Sequence, residues 1–168
     1  TSYVFGMSWS PDGAKIAFQD LTDIFIINVD GSNRVNLTNG QGNNSEPTWS
    51  PDGSRLAFAR SINDGRYTEI YTMNVNGSDV RQITISPGGY TSGSHSPDWS
   101  PDSGRLAFTM PADEFAPDDL ALVNPDGTYL QLILENFDFV INVPKWSPDG
   151  TKIVFYGRGF SNNVSQIW

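Results

Sequence analysis

The chain has 168 residues, 38% of them hydrophobic and 12% aromatic, enough for one globular domain with a sizeable core and too apolar for disorder despite 16 Gly and 11 Pro. A formal net charge of −9 argues against a nucleic-acid-binding surface, and the absence of cysteine excludes disulfides, a thiol nucleophile and cysteine metal sites. No apolar run approaches the roughly 18 residues that a membrane-spanning helix needs, and the dense Gly and Pro predict many short strands joined by turns.

The first predicted strand ends at Trp9 and is followed by Ser10-Pro11-Asp12-Gly13, a type I turn with Ser first, Pro second and Gly where positive φ is needed. Lys15–Phe18 is a period-two strand, and Ile24–Asn28 is a second, nearly continuous apolar strand of the kind covered on both faces. Asp30-Gly31 then signals a hairpin, with a last strand ending near Leu37. The whole unit recurs at Trp49, Trp99 and Trp146, spacings of 40, 50 and 47 residues that suit four strands per unit. The matching strands are Arg55–Phe58 and Ile70–Asn74, Arg105–Phe108 and Leu120–Asn124, and Lys152–Phe155 with a beginning at Ile167-Trp168. Proline stands two residues before the tryptophan in three units (Pro47, Pro97, Pro144), and Met7 stands there in the first. The third unit reads Ser103-Gly104 in swapped order, which puts a non-glycine residue where positive φ is expected, at a cost of about 1 kcal/mol or a one-residue shift of the turn.

A lone meander exposes two apolar faces and is stable only between copies of itself. The expected fold is therefore all-β, a β-propeller of four-stranded antiparallel blades at roughly 1–40, 41–90, 91–137 and 138–168, three full and the fourth truncated. Ala17, Ala57 and Ala107 would let sheets approach while the tryptophans fill the gaps. Four blades without a last outer strand do not close a ring, so the chain is expected to be a fragment or to self-associate with another copy. Its start at Thr1, without a signal-like segment, reads as processing or as a piece of something longer.

The run Trp-Ser-Pro-Asp-Gly-x-Lys/Arg-Ile/Leu-Ala-Phe, followed by Ile-Tyr-x-x-Asn-x-Asn/Asp-Gly and Leu/Ile-Thr, resembles the TolB-type propeller repeat, most fully at Trp49–Phe58, Ile70-Tyr71, Asn74–Gly77 and Ile83-Thr84. The resemblance covers essentially the whole chain and implies a bacterial, periplasmic or extracellular protein. It leaves function open, because such repeats also occur in propellers attached to prolyl-oligopeptidase-type hydrolases.

Within each unit the short repeated turns occupy one rim, and the long connections, different in every blade, occupy the other, where binding is usually carried. Those connections (19–23, 39–47, 59–69, 85–97, 109–119, 135–144 and 156–166) hold eleven acidic residues against three arginines, a balance of −8. The candidate partner-binding residues are Asp113, Glu114, Phe115, Asp118 and Asp119, with Tyr67 and Tyr90 as aromatic anchors. Such a face would favour a basic protein partner or a divalent cation such as calcium. A solvated, solubilising rim explains the same charges, and packing beneath long loops explains many of the aromatics. The recurring acid that opens the third strand (Asp23, Glu69, Asp119) reads as a structural hydrogen-bonding residue.

No cofactor motif occurs, and the calcium-loop pattern is missing. The nucleophile elbow is also missing, since Gly6-Met7-Ser8-Trp9-Ser10 fails at its last position. His95 is the sole histidine and has no acid identifiable as its orienting partner. Asn36, Asn43, Asn76 and Asn163 begin Asn-x-Ser/Thr sequons of the kind such a composition produces by chance. The expectation is a non-catalytic interaction or scaffolding propeller, with an accessory hydrolase propeller or a carbohydrate-binding propeller as alternatives.

Overall fold

The computed structural model describes residues 4–62, 65, 67–85, 93–111, 118–134, 139–159 and 165–167. Every regular element among them is a β-strand. The first sheet has the order β1 (Val4–Trp9), β2 (Lys15–Asp20), β3 (Asp23–Asn28), β4 (Val35–Asn36). The second is β5 (Asn43–Trp49), β6 (Arg55–Ile62), β7 (Tyr67–Asn74), β8 (Arg81–Gln82). The third is β9 (His95–Trp99), β10 (Leu106–Pro111), β11 (Asp118–Val123), β12 (Gln131–Leu134). A three-stranded fourth sheet holds β13 (Phe139–Trp146), β14 (Ile153–Gly159) and β15 (Ser165–Ile167). Each sheet is an antiparallel meander in chain order, the blade expected from the repeat.

The turns form because their side chains satisfy their own backbone. Ser10 Oγ donates to Asp12 Oδ1 at 2.6 Å and accepts the Lys15 N–H at 2.8 Å, while the Ala14 N–H donates to the same carboxylate oxygen. Ser50, Ser100 and Ser147 repeat this pattern with Asp52, Asp102 and Asp149. The fourth position of each turn is left-handed, with φ 68° at Gly13, 73° at Gly53, 69° at Gly150 and, as the swapped order implied, 59° at Ser103. The second hairpin turn is held likewise, by Ser32, Ser78 and Thr128 donating to Asp30, Asn76 and Asp126.

Packing between sheets follows the alternation along each strand. Trp49, Leu56 and Phe58 face the first sheet and meet Ala17, Ile24, Ile26 and Leu37. Ala57, Ile70 and Ile83 on the opposite face meet Trp99, Leu106 and Phe108 of the third. Leu120 of the third sheet packs on Ile141 and Phe155 of the fourth. Ala17, Ala57 and Ala107 are fully buried, which lets neighbouring sheets close around a tryptophan. Trp9 occupies the same register but has no sheet before it and is 59% exposed, against 8% for Trp49 and 5% for Trp99.

Two expectations change in detail. The outermost strands of the first two sheets are only two residues long. The β6–β7 and β10–β11 hairpins extend into segments read as loops, pairing Ile62 with Tyr67 and Pro111 with Asp118. Backbone pairing continues there because period-two side chains still alternate across the sheet, whatever their polarity.

Candidate functional site

The first strands of successive sheets, β1, β5, β9 and β13, lie against one another and converge on an axis. Each carries a bulge three residues before its tryptophan, with positive φ at Gly6 (52°), Glu46 (54°), Ser96 (53°) and Val143 (49°). Only the first is glycine, so the other three hold a conformation costing about 1 kcal/mol each. The prolines noted in the sequence follow immediately, and a proline has no N–H to give to a ladder, which suits a bulge. The bulges enclose an axial cavity of about 230 Å³ lined from all four blades, with Met7, Glu46, Pro47, Ser96, Val143 and Lys145 in its wall.

Neighbouring first strands are stitched across this axis. The Trp49 N–H donates to Ser8 Oγ at 3.1 Å, and the Ser96 N–H donates to the Glu46 carboxylate at 2.6 Å. The Trp146 N–H and Lys145 Nζ donate to the two oxygens of Asp98 at 2.8 and 2.6 Å. Half of the lining residues, Glu46, Pro47, Ser96, Pro97 and Val143, belong to connections 39–47, 85–97 and 135–144, so the cavity adjoins the inner ends of the long connections.

Several rim acids serve the fold. Thr38 Oγ1, Asn36 Nδ2 and the Gly40 N–H all donate to Asp23 at 2.6–2.8 Å; burial opposes its charge, yet these bonds hold its pKa below the usual carboxylate value. Glu69 is fully buried and accepts the Thr84 hydroxyl, which in turn accepts the Ile70 N–H at 2.9 Å. The Ile/Leu-Thr of the repeat is thus a clasp between fourth and third strands, absent from the third blade, where Leu134 stands in place of threonine.

Of the partner-binding candidates, Asp119 lies on β11 at 4% exposure, because its register is that of Asp23 and Glu69. Asp118 pairs with Pro111 in the ladder and aims its carboxylate at His95, with Nε2 and Oδ2 2.8 Å apart. The structure thereby supplies the acid partner that the sequence did not reveal. Residues 109 and 95 are Cα partners in β10 and β9, which brings Thr109 Oγ1 within 2.9 Å of His95 Nδ1. Tyr67 is half-buried at the start of β7. Asp113, Glu114, Phe115 and Tyr90 lie outside the described residues. Among the described residues no group of three His, Asp or Glu side chains could hold a metal ion, and no helix is long and apolar enough to cross a membrane.

Sheets that stack radially, with bulged first strands around an axial cavity, define a β-propeller. Residues 2–109 match the family model for the TolB β-propeller domain, and the chain belongs to that family. It is 32% identical over 157 residues to the uncharacterized protein Atu1656 of Agrobacterium fabrum, covering 88% of this chain and 52% of that protein. The chain thus spans about half the length of the curated relative it matches. Among solved structures it resembles the putative TolB from Agrobacterium tumefaciens with a TM-score of 0.82 at 20% identity, over 99% of this chain and 57% of that one. TolB from Acinetobacter baumannii follows with a TM-score of 0.77 at 21% identity, over 99% of this chain and 43% of that one. Likeness at that identity establishes the fold.

Proposed function

We propose that this chain is a non-catalytic, protein-binding propeller that receives a basic partner on its long-connection rim, in a periplasmic or extracellular setting. Two features support the reading: the axial cavity, which takes half of its lining residues from those connections, and the −8 charge balance that the connections carry in the sequence. Hydrogen bonds hold the Asp23 pKa low and so keep its charge, and Asp23 contributes to the field although it also holds the fold together. Asp113, Glu114, Phe115, Tyr67 and Tyr90 are the proposed contacts. Catalysis has little support at His95, because the buried Thr109 hydroxyl occupies the ring nitrogen opposite Asp118.

The test is affinity capture from a bacterial envelope extract, identification of the retained protein, and titration of that protein purified. Asp113→Asn with Glu114→Gln should weaken binding about tenfold, and raising the salt from about 0.05 to 0.5 M should weaken the parent chain further. Affinity indifferent to both changes would exclude the acidic rim as the contact. Asp118 and Asp119 are unsuitable for this test, since one holds His95 and the other is buried.

A further inference from the structure

The short-turn rim, which the repeat presents as purely structural, carries two equivalent clefts between consecutive Ser-Pro-Asp-Gly turns. One, of about 320 Å³, separates the first two blades and is walled by Pro11, Asp12, Lys15, Trp49, Asp52 and Gly53. The other, of about 330 Å³, separates the third and fourth and is walled by Pro101, Asp102, Arg105, Trp146, Asp149 and Gly150. These six residues occupy the same repeat positions in both clefts, while Ile26 and Val75 line the first alone, so two sites of closely similar chemistry recur on one rim.

The intervening junction is built differently at three points. Ser103 replaces the glycine, and its Oγ accepts the Asp52 N–H from the neighbouring turn at 3.1 Å. Arg55, the counterpart of Lys15 and Arg105, is held by Asp79 at 2.9 Å. Trp99 donates its indole N–H to the Thr48 carbonyl at 3.3 Å. At the two clefts the corresponding groups are unspent. Lys15 and Arg105 have no ion pair among the described residues. The indole N–H groups of Trp49 and Trp146 are buried without a partner. All four turn aspartates commit Oδ1 to their own turns and, among the described residues, show no bond at Oδ2.

We propose that each of these two clefts binds one neutral sugar ring of a repeating glycan. Indole and pyrrolidine supply apolar walls for the C–H face of a pyranose. Two carboxylate oxygens accept from its hydroxyls, an ammonium or guanidinium donates to them, and the tryptophan behind the wall reports the contact through its indole signal. Two carboxylates against one cation leave each cleft at −1, which disfavours anionic sugars. A pair of identical weak sites suits a polymer that presents the same unit repeatedly, since the second contact then becomes intramolecular. This site lies on the rim opposite the proposed protein contact, so either reading can fail without the other.

The test is a titration followed by the ¹H–¹⁵N signals of the indoles, with glucose, mannose, galactose, N-acetylglucosamine and their dimers to about 50 mM, and glucuronate as the anionic comparison. Saturable shifts are expected at Trp49 and Trp146 with at least one neutral sugar, and none at Trp99. Gly53→Ser, which copies the Ser103 closure, should abolish the Trp49 response and leave that of Trp146, a built-in check that the chain is folded. Ser103→Gly should open a response at Trp99. Lys15→Met, which leaves the turn alone, should weaken the first site at least tenfold. No saturable shift with any neutral sugar, glucuronate binding as tightly, or a Trp49 response that survives Gly53→Ser would each overturn the proposal.

Discussion

His95 Nε2 lies 2.8 Å from Asp118 Oδ2, tying the first strand of the third blade to its third strand. Burial works against a charged ring there, but the hydrogen bond and the charge of Asp118, with Glu46 beyond, outweigh it and raise the His95 pKa above 6.5. A raised folded-state pKa means that the charged pair contributes fully below about pH 6.5. That contribution disappears as pH rises through the folded value. The melting temperature should therefore fall over this window, and His95→Gln should flatten the fall. A pH-independent difference between the two proteins would contradict the linkage.

The Thr84–Glu69 clasp should be costly to break. Thr84→Val keeps the shape but removes a donor to a fully buried carboxylate and the acceptor of the Ile70 N–H. A loss of about 2–4 kcal/mol in urea unfolding is expected.

Phe58 and Phe18 occupy the same strand position, yet only Phe58 is pressed between sheets. It is fully buried against the first blade. Phe18 lies on the open face of the first blade beneath Arg34, whose guanidinium sits 5.6 Å from its ring centroid. Phe58→Ala should cost about 3–5 kcal/mol and Phe18→Ala clearly less, by the same denaturation measurement.

Val143 holds φ at 49° with a β-branched side chain that is 53% exposed. Val143→Gly, which copies the first blade's Gly6, should stabilise the chain by roughly 1 kcal/mol in thermal unfolding. Unchanged or lower stability would show that the bulge relaxes around valine without strain.

Much of the fold was legible because its information is local. The turn bonds join residues two to five apart, such as Ser10 with Asp12 and Lys15, so a short string of letters encodes them. Even the strained Ser103 could be read from its swapped order with Gly104. The bulge had a signal in the recurring proline, although the glutamate, serine and valine before it concealed the positive φ.

The sequence by itself determined the blade, its turns and its apolar alternation, since each rests on backbone chemistry within one repeat. Only the tertiary structure decided that Asp118 reaches His95, that Asp119 is buried, and that Ser103 bonds the Asp52 turn across one junction. Those outcomes depend on side chains brought together across folded strands and blades, such as Asp52 and Ser103, 51 positions apart. Such contacts depend on strand register and the packing of one sheet on the next, which no local pattern specifies.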